Sequence, residues 1–78
     1  MNDKSKLIEH FYTEALKHET NSEEFLKNGN QISKFYREEF GMVPFWLDYH
    51  KSIEDGDDSA VLRRLEMMKI QLLKLYKS

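Results

Sequence analysis

Apolar residues recur at three- and four-residue steps along most of the chain, and no alternating stretch is long enough to argue for a strand. Leu7, Ile8, Phe11, Tyr12, Ala15 and Leu16 form the first such series and predict a helix over residues 3–18. Thr20-Asn21-Ser22 ends it, and Asn21 with Glu24 has the form of a capping box in which Asn replaces the usual Ser or Thr. Phe25 and Leu26 add a short apolar patch before Asn28-Gly29-Asn30, a turn signal at which the helix ends or bends. Ile32, Phe35, Tyr36 and Phe40 share one face of a helix over residues 31–40, with Gly41 placed as its left-handed terminating residue. Pro44 suits the first turn of the next helix, which reaches residue 54 with Phe45, Trp46, Tyr49 and Ile53 inward.

Asp55-Gly56-Asp57-Asp58-Ser59 is a turn followed by a cap, with carboxylates at the positive end of the last helix dipole. That helix, residues 59–77, carries Val61, Leu65, Met68, Leu72 and Leu75 as a seam, widened by Leu62, Leu73 and Tyr76. The pattern as a whole predicts an all-α fold, a compact bundle of four to five short helices with a long amphipathic C-terminal helix. It forms one domain over residues 1–78.

Six of the ten aromatic residues fall within residues 35–49. Helical phase divides them between inward faces on either side of Gly41 and Pro44, so this mass is expected in the core and not on a binding surface. Ile8-x-x-Phe11-Tyr12-x-Glu14 recurs as Ile32-x-x-Phe35-Tyr36-x-Glu38, which would give two helices equivalent faces toward a shared core.

A chain of 78 residues without cysteine has neither disulfides nor thiolate metal sites to staple it, which leaves close helix packing or oligomerisation as the source of stability. The N-terminal residues lead directly into the amphipathic pattern, so neither a signal peptide nor a membrane span is expected, and the location expected is the cytoplasm. The net charge of −2 is unevenly spread. Residues 1–58 hold seven basic and thirteen acidic side chains, whereas residues 59–78 hold five basic and one acidic. A basic last helix beside an acidic body explains this structurally; a basic stripe offered to an acidic partner explains it functionally.

Candidate chemistry is sparse. His10, Glu14 and His18 lie at one-turn intervals, but the helix drifts by about 80° over two turns, so the three would not converge on one ion. The acidic run Glu54–Asp58 fits no calcium-loop register. No serine sits in a nucleophile-elbow setting, and the three glycines are too scattered to cradle a phosphate. His50 with Tyr49 and Asp48 could be drawn as an acid–base cluster, although a histidine at the edge of a helix face is more often structural. Accordingly no enzyme activity, cofactor, metal or small-molecule substrate is inferred.

The residues that break the pattern say more. Glu39 projects onto the face of Ile32, Phe35 and Tyr36, and Lys69 falls among Leu62, Leu65 and Tyr76, so either both reach the rim or they pair with each other. Conversely, Leu47 sits among Asp48, Lys51 and Glu54, while Met67 and Ile70 lie on the polar side of the last helix with Arg63 and Arg64. Methionine and arginine are both enriched at interfaces.

Residues 35–44, with Phe40-Gly41-Met42 and then Pro44, resemble the end of the second helix-turn-helix of AraC-type regulators, which commonly reads Phe, basic residues, Phe-Gly-x-Thr-Pro. The resemblance implies transcriptional regulation through DNA. Val43 stands where that family has threonine, Glu38 and Glu39 stand where it has basic residues, and its tandem unit does not fit. A helix–Gly–x–x–Pro–helix joint also follows from capping physics alone.

The expectation is therefore a small non-enzymatic helical protein that works by protein–protein binding, as an adaptor, inhibitor or regulator, or by self-association. Its contacts are expected at Leu47, Arg63, Arg64, Met67 and Ile70. The competing expectation is a nucleic-acid-binding transcriptional regulator that uses Arg63, Arg64, Lys69, Lys74 and Lys77 of the last helix.

Overall fold

A computed structural model describes residues 3–77, which form four helices: α1 (Asp3–Ala15), α2 (Glu23–Phe40), α3 (Pro44–Asp55) and α4 (Asp58–Lys77). No strand occurs among the described residues. The molecule measures 35 × 27 × 15 Å, and its shortest dimension is that of two helix layers. α4 is the hub: it packs against α1, α2 and α3, whereas α1 and α3 do not touch. Ile8, Phe25, Ile32, Tyr36, Tyr49, Val61, Leu65, Met68, Leu72 and Tyr76 make one continuous core.

The expected break at Asn28-Gly29-Asn30 does not occur. α2 runs through it unbroken, and Gly29 is buried in the middle of the helix. A β-carbon at Gly29 would lie 2.8 Å from the Tyr49 hydroxyl, so the glycine serves close approach of α3 and not a turn. Asn28 turns its amide back onto the Glu24 carbonyl at 3.0 Å, a bond that is compatible with helix.

α1 is shorter than its periodicity implies. Beyond Ala15 the backbone tightens into i→i−3 bonds, from Lys17 N–H to the Glu14 carbonyl and from His18 N–H to that of Ala15. Leu7 and Leu16 are 43% and 49% exposed, so the buried face narrows to Ser5, Ile8 and Ala15 with Phe11 and Tyr12 beside them. The next cap is Ser22, whose Oγ accepts from Phe25 N–H at 3.2 Å. Asn21, expected in that role, has φ 67° and reverses the chain, and its Nδ2 donates to Asp58 Oδ1 at 2.9 Å.

The other joints form where expected, although Gly41 combines φ 81° with ψ −171° and is not in the left-handed helical conformation its place suggested. Gly41 donates its N–H to the Arg37 carbonyl at 2.8 Å, and Pro44 opens α3 with no side-chain cap from Val43. Gly56, left-handed at φ 68°, closes α3 in a Schellman pattern: its N–H reaches the Ile53 carbonyl and that of Asp57 reaches Ser52, both at 3.1 Å. Asp57 then caps α4 by accepting from Ala60 N–H at 3.1 Å. Along α4, Val61, Leu65, Met68, Leu72 and Tyr76 face inward, while Leu62 and Leu75 are 37% and 44% exposed. The two similar segments do place corresponding positions alike: Ile8 and Ile32 are fully buried, and Phe11 and Phe35 lie half-buried against the core.

Candidate functional site

The outward side of α4 and its border with α1 hold the most distinctive surface. Ile70 and Leu73, half-buried, form the floor of an open groove of 410 Å³ whose other lining residues are Lys69, Lys74 and Lys77. The spacing explains it: Ile70, Leu73 and Lys77 follow one ridge, while Lys69 and Lys74 stand on opposite sides of it. α1 positions two of the ammonium groups. Lys69 Nζ sits 4.3 Å from the centre of the Tyr12 ring, and Lys77 Nζ pairs with Glu9 Oε1 at 3.0 Å. Burial, reinforced by the carboxylate of Glu66, pushes the Tyr12 phenol above its ordinary pKa, so the ring stays neutral beneath Lys69.

Met67 lies one turn from Ile70 on the same outward side and is 43% exposed. Arg63, one turn before Met67, is exposed and donates from Nη1 to Ser59 Oγ at 2.7 Å. Arg64 belongs elsewhere: it is half-buried and lines a 230 Å³ cleft between α3 and α4 with Asp48, Lys51, Ser52, Asp55 and Asp57. Leu47, 47% exposed, is on α3, on the side opposite the buried Tyr49 and Ser52. The fold thus groups Arg63, Met67 and Ile70 and separates Arg64 and Leu47 from them. Leu73, assigned to the apolar face from its phase, does pack against the core, and its half-buried side chain also lines the groove, which sequence reasoning did not anticipate.

Glu39 and Lys69 do not meet. Glu39 Oε2 accepts from the Tyr76 hydroxyl at 2.8 Å and faces Lys4 Nζ at 3.7 Å, whereas Lys69 lies over the Tyr12 ring. Burial first, and then the bond to Glu39, raise the Tyr76 pKa well above its ordinary value.

One pair has the look of reactive chemistry. Ser33 Oγ and His50 Nε2 share a hydrogen bond at 2.6 Å, and Glu54 lies one turn along α3 from His50. Burial lowers the His50 pKa, partly opposed by the Glu54 charge, so the ring is neutral near pH 7. Ser33, however, is 2% exposed inside α2, and Trp46 Nε1 donates to its carbonyl at 3.1 Å. A nucleophile must be reached by its substrate. This bond joins α2 to α3; nothing can approach the serine.

Among the described residues no three His, Asp or Glu side chains are grouped to hold a metal ion, and no helix is long and apolar enough to cross a membrane. His18 falls beyond the end of α1, and Glu14 is engaged by Lys17 at 2.7 Å, which lowers its pKa. Compared with known protein families, characterised proteins and solved structures, the chain matches none. The resemblance to AraC-type regulators at residues 35–44 is a likeness of that joint alone.

Proposed function

We propose that this chain is a small non-enzymatic cytoplasmic protein that acts as an adaptor, inhibitor or regulator by docking another protein on the outward side of α4. The observation that carries the reading is the uncovered apolar surface on the helix that organises the core, where Met67 is 43% exposed beside the groove floor of Ile70 and Leu73. A few apolar anchors ringed by charge are how such faces bind, the anchors giving energy and the charges register. The absence of cysteine accords with a reducing compartment.

The nucleic-acid reading draws less support from the surface. It needs Arg63, Arg64, Lys69, Lys74 and Lys77 as one stripe, yet Arg64 lines the acidic cleft between α3 and α4, apart from the rest. The test is sedimentation and quantitative capture of partners with wild type and with the double change Met67→Glu, Ile70→Glu. Loss of association with retained helicity is expected; unchanged association would refute the assignment of this face.

A further inference from the structure

The groove is specific about what could fill it. Ile70 and Leu73, half-buried, supply its apolar part, Lys69 and Lys74 lie on either side of that ridge, and Lys77 follows it toward the C-terminus. Lys69 is placed over the Tyr12 ring, and Lys77 lies beside Glu9 in an exposed ion pair that a partner carboxylate can replace at small cost. On the outward side Arg63 adds a further positive group one turn before Met67.

We propose that this groove takes an acidic amphipathic helix of a partner protein: one apolar ridge inserts over Ile70 and Leu73, and carboxylates flanking that ridge pair with Lys69, Lys74 and Lys77. The inference rests on reading the α4 face as a protein-binding surface and adds the chemistry of the partner. A helix presents apolar side chains at i, i+3/i+4 and i+7 as a ridge, the shape that enters a groove between side-chain rows. A second copy of the chain meets the surface poorly, because residues 69–77, which line the groove, hold three lysines and no acidic residue to pair with them. A bilayer requires a larger exposed apolar face than the half-buried Ile70 and Leu73 offer among three lysines. A phosphate backbone makes no use of an apolar floor.

The experiment is an amide-resolved NMR titration of the intact protein with four probes. They are a synthetic helical peptide with a leucine ridge flanked by glutamates, the same peptide with every glutamate changed to lysine, a DNA duplex, and vesicles containing phosphatidylserine. The acidic peptide is expected to shift residues 69–77 selectively, and Lys74→Glu or Ile70→Glu, both at solvent-accessible positions, should weaken it by about tenfold or more with the rest of the spectrum unchanged. Equal shifts from the lysine peptide would overturn the acidic partner while leaving α4 as a protein-binding face. Shifts from the duplex or the vesicles without the peptides, or from no probe, would overturn both readings.

Discussion

Gly29 and the Tyr49 hydroxyl occupy one space: a β-carbon on the glycine would stand 2.8 Å from that oxygen, inside any normal contact. Tyr49 is fully buried, its hydroxyl has no hydrogen-bond partner, and burial pushes its pKa far up. α2 and α3 meet at this point, so it decides how closely the two helices approach. Gly29→Ala should destabilise the protein by about 1–3 kcal/mol in urea unfolding, because overpacking outweighs the roughly 1 kcal/mol that alanine gains in a helix. Tyr49→Phe removes an unpartnered buried hydroxyl and should be neutral or stabilising by about 1 kcal/mol. In the Tyr49→Phe background, Gly29→Ala should change sign and stabilise. A second loss there would place the steric conflict elsewhere.

The burial of His50 makes stability depend on pH in a definite direction. The folded state lowers the His50 pKa, so below the unfolded value of about 6.5 the unfolded chain binds the proton more readily. Stability therefore rises with pH through this window and is lost as pH falls below it. Trp46 and Tyr49 pack against the imidazole and Glu54 is the charge that opposes the shift, so charging the ring disturbs the α2–α3 contact. His50→Gln, which can keep a bond to Ser33 without titrating, should flatten the urea midpoint between about pH 7 and pH 5. An unchanged slope would assign the dependence to carboxylates.

The all-α class, the Gly41–Pro44 joint and the C-terminal helix are legible in the sequence because capping residues and apolar spacing are local signals. What is not legible depends on another element. Asn28-Gly29-Asn30 reads as a turn until Tyr49 is seen to require a residue without a side chain there. Ser33 carries no local sign that His50, seventeen positions away, will bond to it. The aromatic stretch, by contrast, is in the core for the reason its phase gives: Tyr36 and Tyr49 are buried, and Phe35, Phe45 and Trp46 pack beside them. Phe40, at 37% exposed, is the exception, with its ring 4.6 Å from that of Tyr36.

Glu39 and Tyr76 should be energetically coupled, and Glu39 and Lys69 should not. The Tyr76 hydroxyl donates to the Glu39 carboxylate at 2.8 Å, a bond between α4 and α2 with a charged acceptor. A double-mutant cycle of Glu39→Ala and Tyr76→Phe should give a coupling of about 1–2 kcal/mol, reduced by the partial exposure of the carboxylate. The cycle of Glu39→Ala with Lys69→Ala should add to within about 0.5 kcal/mol, since Lys69 lies over Tyr12. Coupling in the second cycle would mean that Lys69 leaves the Tyr12 ring in solution.

The α1–α2 connection makes a separable prediction about Asn21. Its φ of 67° lies where a β-carbon is strained, its Nδ2 ties the loop to Asp58 at the start of α4, and its Oδ1 is buried without a partner. Asn21→Gly loses the tie, which is exposed, but relieves both the strain and the unpartnered oxygen, so its stability should stay within about 0.5 kcal/mol of wild type. Asn21→Ala loses the tie and keeps the strain, and should be less stable than the glycine variant by about 1–2 kcal/mol. Ser22→Ala, which removes the cap of α2, should cost about 1 kcal/mol. If Asn21 were the cap, as its spacing to Glu24 suggests, the costs at positions 21 and 22 would exchange, and Asn21→Gly would be no better tolerated than Asn21→Asp. Thermal and urea unfolding of these four variants separates the two cases through Ser22→Ala, which carries the cost of a lost cap only if Ser22 and not Asn21 caps α2.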